Sequence, residues 1–158
     1  MEILFTAFNG KNNSSKILLD NINSDNKLYL KNSFDTSVKA LIKELKRKQY
    51  DLIISFGQAP LDIDTIKIET TGKVNIEYKT RYDYIELKNK LNKYYKTIIS
   101  DNAGTYLCNN LYFHGLIYIN DNKLNTNMIF IHIPKLNCIS NIETLSNIFD
   151  SLYIKWKR

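Results

Sequence analysis

Apolar positions in this chain fall into short continuous runs separated by longer stretches in which they recur every three or four residues. Glu2 to Phe8 is an apolar run rich in strand formers, followed by Asn9-Gly10 and the polar stretch Lys11 to Ser15, which reads as strand, then loop. Ser14 or Ser15 is placed to cap a helix carrying Ile17, Leu18 and Ile22. Leu28-Tyr29-Leu30 predicts a strand, and Asp35 precedes Val38, Leu41, Ile42 and Leu45, whose spacing defines one helical face. Leu52-Ile53-Ile54, ending at Ser55-Phe56-Gly57, has the unbroken apolar character of a strand buried on both faces of a parallel sheet. Ile63 to Ile76 alternates, predicting two strands with a turn near Gly72.

The second half repeats the theme. Tyr84, Leu87, Leu91, Tyr94 and Tyr95 mark an amphipathic helix, Thr97-Ile98-Ile99 a strand, and Ser100 to Gly104 a break. Cys108, Leu111, Tyr112, Gly115, Leu116 and Ile119 share one face of a helix expected from Thr105 to Ile119. Met128 to Ile133 reads as a strand stopped by Pro134, and Ser140 with Glu143 forms a capping-box signature before Ile142, Leu145, Ile148, Phe149 and Leu152. Strands alternating with helices over long crossovers predict an α/β layered fold with a largely parallel sheet and right-handed connections, in a single domain spanning residues 1–158.

Composition narrows the function classes. A 158-residue chain that is 44% hydrophobic and 24% charged can build a core without disulfide or metal staples. The uncharged stretch Asn102 to Asn120 is long enough to suggest a membrane span, but Asn109, Asn110 and His114 inside it favour a buried helix. The net charge of +6 comes from 19 Lys and only three Arg (Arg47, Arg81 and Arg158). With 20 Asn and 22 Ile beside them, this fits a codon bias better than selection for phosphate contacts, which favour the guanidinium fork, so neither nucleic acid nor membrane is an expected partner. Cys108 and Cys138 lack any Cys-x-x-Cys or Cys/His cluster, so no metal or other cofactor is expected. Reduced thiols and a start without a basic, then apolar, leader predict a cytoplasmic protein.

In parallel sheets ligands gather outside the carboxyl ends of the strands. Three segments meet that description: Gly57-Gln58-Ala59, Ser100 to Cys108, and His132 near the end of its strand. Cys108 falls in the first turn of its helix, after the Ala103-Gly104 turn, where free backbone N–H groups and the helix dipole favour a thiolate nucleophile. His132, 24 residues later, suits a general base and acid. Glu69, closing the Thr65-Glu69 alternation, suits a carboxylate that orients the imidazole. Each also has a plain structural reading: cysteine fills cores, and a histidine framed by Ile131 and Ile133 is commonly a hydrogen-bonded core residue.

The segment Ser100-Asp101-Asn102-Ala103-Gly104-Thr105-Tyr106-Leu107-Cys108-Asn109 resembles the nucleophile motif of the pyrrolidone-carboxylate peptidases (pyroglutamyl peptidase I), S-x-x-A-G-T-F/Y-V/L-C-N. Phe130-Ile131-His132-Ile133-Pro134 resembles that family's F-I-H-V/I-P at the family's own distance from the cysteine. Asp51 to Ala59 is similar to its strand and G-Q-A turn, and Ile3 to Phe8 to its T-G-F strand, with Asn13-Ser14-Ser15 where N-P-S is usual. The resemblance implies a three-layer α/β/α sandwich of the phosphorylase/hydrolase-like kind, with a mostly parallel central sheet. It also implies a cysteine exopeptidase that removes N-terminal 5-oxoproline from peptides with a blocked N-terminus, and a family habit of homo-oligomers.

By position, the resemblance makes Cys108 the nucleophile, His132 the base and acid, and Glu69 the third member, the last through Ile66-Lys67-Ile68-Glu69 against I-T-x-E. Phe8, Gln58 and Tyr106 become substrate contacts, and Arg81 in Thr80-Arg81-Tyr82 a holder of oxyanion charge. The chain departs from the family pattern where G-F-x-P-F-G-G is replaced by Ala7-Phe8-Asn9-Gly10, which removes one aromatic, and where Pro60-Leu61-Asp62 stands for G-G-R. The loop rich in P-D-N and Q-P that normally follows the glutamate strand is also absent. These departures imply altered specificity, or alternatively a catalytically inactive descendant that binds a peptide or protein.

Overall fold

The computed structural model describes residues 1–154. One six-stranded sheet organises the chain. Its members are β1 (Ile3–Phe8), β2 (Lys27–Leu30), β3 (Leu52–Gln58), β4 (Thr65–Glu69), β7 (Lys96–Ser100) and β8 (Asn127–Ile133), in the order β2-β1-β3-β8-β4-β7. A two-stranded hairpin, β5 (Thr71–Lys73) with β6 (Glu77–Lys79), stands beside it. Strands β2, β1, β3 and β8 run parallel. β4 pairs antiparallel with β8, and β7 follows β4 in parallel.

The unbroken apolar runs occupy the centre, as a strand covered on both faces requires: every residue of β1 is buried, as are all but the terminal Gln58 of β3 and Asn127 of β8. The outer strands β2 and β7 are more exposed, and Lys27 and Lys96 lie on these edges.

Helices cover both faces. Alternate residues of the central strands, Phe5, Ile54, Phe56 and Ile131 among them, share a core with α1 (Ser14–Asn21), α3 (Ile85–Leu91) and α5 (Ile142–Ile154). The ring of Phe149 on α5 meets Phe56 edge-on at 4.8 Å. The intervening residues, Leu4, Phe8, Ile53, Met128 and Phe130, pack against α2 (Phe34–Arg47) and α4 (Leu107–Asp121). Fully burying one such side chain contributes about 1.5–3 kcal/mol, so the two cores together hold the layers. The result is the expected three-layer α/β/α sandwich.

The structure corrects several local expectations. Asn13, not Ser14 or Ser15, caps α1, accepting from Ser15 N–H at 2.9 Å, and Ser33 caps α2. Before α5, Asn141 accepts from Thr144 N–H, while the hydroxyl of Ser140 bonds Asp64. Any short side-chain oxygen can accept at such a position, and the backbone geometry decides which does. Gly72 lies within β5 and the turn follows at residues 74–76, so the alternating stretch folds back one strand later than expected and β6 adds a strand. No described helix is long and apolar enough to cross a membrane.

Candidate active site

β3 and β8 are in register, with Gly57 opposite His132. Neighbouring strands lie about 4.8 Å apart. Above Gly57 sits the first turn of α4: a Cβ added at Gly57 would stand 2.5 Å from Cys108 Sγ and 2.9 Å from the ring of Phe130. The thiol therefore rests directly on the Gly57 backbone, one strand away from His132. The rings of Phe130 and His132, two residues apart on β8, lie 5.0 Å apart on that same face. A strand-interior glycine often marks such a close approach, but the apolar run ends at Gly57, so the sequence shows a turn glycine there instead.

Glu69 arrives from the other side. Antiparallel pairing sets it opposite Phe130 and diagonal to His132, and its Oε1 lies 2.9 Å from His132 Nδ1. Both side chains are buried, Glu69 to 1% exposure. Glu69 fixes the ring through Nδ1 and leaves Nε2 for other work. Its second oxygen, Oε2, is buried without a hydrogen-bond partner among the described residues.

Burial and the Glu69 carboxylate push the Cys108 thiol up to about 12, outweighing the opposing effect of its own backbone N–H. A position in the first helical turn favours a thiolate, and desolvation opposes it more strongly. Among the described residues the thiol makes no hydrogen bond to the imidazole. Tyr106, the N-cap of α4, makes no side-chain cap bond, so no N-cap side chain engages the first-turn N–H groups.

The remaining expected residues are scattered. Phe8 closes β1 and is buried among the α2 and α4 contacts. Tyr106 is 68% exposed and meets Phe34 edge-on at 5.3 Å. Gln58 projects to the opposite face, where its Oε1 accepts from Ser14 N–H at 2.9 Å and supports α1. Arg81 lies at the far end of β8, donating to the carbonyls of Leu124 and Thr126. The five residue steps from Asn127 to His132 span about 16 Å, so the oxyanion role expected for Arg81 is corrected. The grouping of Ser100 with the strand ends is also corrected: β7 runs against β8, and Ser100 is level with Glu69 and Phe130, leaving residues 101–106 to carry the chain to α4. Phe34 was not foreseen, because its neighbour Tyr106 is far away in sequence. No cluster of three or more His, Cys, Asp or Glu able to hold a metal occurs among the described residues.

An α/β/α sandwich with a cysteine, a histidine and a carboxylate on one face has the make-up of a cysteine peptidase. Known proteins agree. A family model described as pyroglutamyl peptidase matches residues 85–148. Pyrrolidone-carboxylate peptidase 1 of Caldanaerobacter subterraneus subsp. tengcongensis is 31% identical over 169 residues, covering 86% of this chain and 83% of its own. The pyrrolidone-carboxylate peptidase of Thermoanaerobacter pseudethanolicus shows the same identity and coverage. Among solved structures, pyroglutamyl peptidase I of Bacillus amyloliquefaciens superposes with a TM-score of 0.79 at 18% identity, over 95% of this chain and 94% of that one. The pyrrolidone carboxyl peptidase of Fervidobacterium islandicum AW-1 gives 0.79, also at 18% identity, over 98% and 97%. The chain belongs to the pyroglutamyl peptidase family.

Proposed function

We propose that this protein is a cysteine exopeptidase that hydrolyses the bond following an N-terminal pyroglutamyl residue, with Cys108 as nucleophile, His132 as general base and acid, and Glu69 orienting His132. The observation that carries this reading is the buried His132–Glu69 pair at 2.9 Å, with Cys108 Sγ packed on the strand residue directly beside His132. A thiol held near 12 needs a base at the moment of attack, and the free Nε2 of an imidazole anchored through Nδ1 is suited to that task.

The steps follow from the groups present. His132 Nε2 takes the thiol proton as sulfur bonds to the pyroglutamyl carbonyl carbon, and the carbonyl oxygen becomes an oxyanion facing the amides of the α4 first turn. The C–N bond then breaks, with the imidazolium proton passing to the departing amine. Water gives a proton to His132 and its oxygen attacks the thioester; that proton returns to sulfur, releasing 5-oxoproline. The lactam ring is uncharged, so recognition rests on apolar contact, for which exposed Tyr106 and buried Phe8 are the candidates. Both cysteines are free, which fits action in the cytoplasm on peptides with a blocked N-terminus.

The test is release of aminomethylcoumarin from its pyroglutamyl derivative, against a panel of other N-terminal residues. Release that vanishes in Cys108→Ala is the expected result. Silence from the wild type across the panel contradicts it and supports a binding role.

A further inference from the structure

Asn109, the last residue of the cysteine motif, has no place in the chemistry above, yet it is 4% exposed and both ends of its carboxamide are engaged. Its Oδ1 accepts from Lys73 N–H at 3.0 Å and its Nδ2 donates to Lys73 C=O at 2.7 Å. In the β5–β6 hairpin, Thr80 N–H donates to Thr70 C=O and Val74 N–H to Ile76 C=O. The alternation of an antiparallel ladder therefore turns the peptide groups of Lys73 away from β6, toward the free edge of β5. Asn109 meets that edge as one residue of a neighbouring strand would.

The same junction is tight elsewhere. A Cβ at Gly72 would lie 2.7 Å from the Cα and N of Phe113, so hairpin and helix backbones touch one turn along from Asn109. Tyr78 on β6 meets Phe113 edge-on at 6.0 Å, and the hydroxyl of Tyr112 donates to the carbonyl of Glu69 at 2.8 Å. Only Thr70 separates Glu69, at the end of β4, from β5. The clip thus joins the neighbour of Cys108 to the strand that continues from Glu69.

We propose that Asn109 is a positioning residue, whose carboxamide locks the hairpin to the first turn of α4 and so fixes Cys108 against the Glu69–His132 pair. The chemistry selects asparagine: one donor and one acceptor in a plane match a peptide edge, aspartate lacks the donor once ionised, leucine lacks both, and glutamine is a methylene too long. The proposal rests on the cysteine-peptidase reading for its effect on turnover, but its effect on the thiol can be read without substrate.

The experiment compares the wild type with Asn109→Leu and Asn109→Asp. It measures pyroglutamyl-aminomethylcoumarin kinetics, iodoacetamide alkylation of Cys108 relative to Cys138 by peptide mass, and thermal melts. Asn109→Leu is expected to melt cooperatively, to lose about 10- to 100-fold in kcat with KM little changed, and to alkylate faster at Cys108 relative to Cys138. In Asn109→Asp the protonated acid still donates to Lys73 C=O and the carboxylate does not. Its kcat should therefore fall through an added ionisation as pH rises, one absent from the wild type and from Asn109→Leu. A folded Asn109→Leu with wild-type kcat, or an Asn109→Asp profile that overlays the wild type, overturns the proposal. If Asn109→Leu fails to fold, the Asn109→Asp profile decides. If the wild type cleaves nothing, the peptidase reading fails, and the Cys108-to-Cys138 alkylation ratio alone judges the clip: raised in Asn109→Leu it stands, unchanged it falls.

Discussion

The two ends of strand β8 are built from similar polar materials and treat them in opposite ways. At the Asn127 end, Thr126 donates its hydroxyl to Tyr50 C=O at 2.6 Å, Thr80 donates to Met128 C=O, and Arg81 donates to the carbonyls of Leu124 and Thr126. Each of these side chains has a protein acceptor and closes a gap between elements. At the His132 end, a carboxylate oxygen is buried without a partner among the described residues, an imidazole is anchored through one nitrogen, and a thiol sits desolvated on a glycine. Buried polar groups left a partner short cost about 1–3 kcal/mol each. The contrast separates polar residues that secure the fold from those that, on the proposed function, await an incoming group.

The largest expected effect lies in the sulfur. Cys108→Ala should lower pyroglutamyl hydrolysis by on the order of 10⁴-fold or more while leaving the melting temperature close to wild type, checked by initial rates and calorimetry. Next comes Gly57→Ala. The added methyl has no room between Cys108 Sγ and the Phe130 ring, so a stability loss of about 1–3 kcal/mol and a drop in kcat should appear together in urea titrations and kinetics. Glu69→Gln separates charge from shape. It should cut turnover by about 100-fold, yet alkylate faster at Cys108, because the carboxylate is one of the two causes that raise the thiol.

A smaller effect is expected in alkali. The Cys108 thiol is raised in the folded state, from an ordinary 9.0 to about 12, so the native form holds a proton that the unfolded chain loses first. The associated stability is present below pH 9 and is lost as pH rises toward 12, and the difference in melting temperature between wild type and Cys108→Ala should change in that window. Smallest is Arg81→Ala, at the structural end. With its guanidinium about 16 Å of strand away from His132, it should leave kcat within about threefold of wild type. A large loss of kcat with KM unchanged would erase the distinction between the two ends.

The sequence carried the layers well. Unbroken runs such as Leu52–Ile54 and the three-and-four spacing through Leu41 and Leu45 report burial directly, and both became the elements they predicted. Strand direction was less legible: nothing in Ile66 or Ile68 records that β4 runs against β8, and that reversal puts Glu69 opposite Phe130 rather than at a shared carboxyl edge. Local periodicity records which face a side chain takes, not which strand lies next to it. Cys108, His132 and Glu69, the proposed triad, stand out in the sequence by motif and spacing, and the structure brings the last two into contact. The floor beneath the sulfur was not legible, since Gly57 reads as an ordinary turn glycine until α4 is laid over it. The burial that raises the Cys108 thiol was not legible either, because a helix N-terminus is visible in sequence and desolvation is not.

The most direct measurement is to quench the enzyme in acid during turnover of a pyroglutamyl ester or thioester and map the modified peptide by mass. A pyroglutamyl acyl group on the peptide containing Cys108, absent from the one containing Cys138 and from Glu69→Gln at equal times, is the expected result. Substrate cleavage with no acyl group on Cys108, or no cleavage at all, would contradict the account.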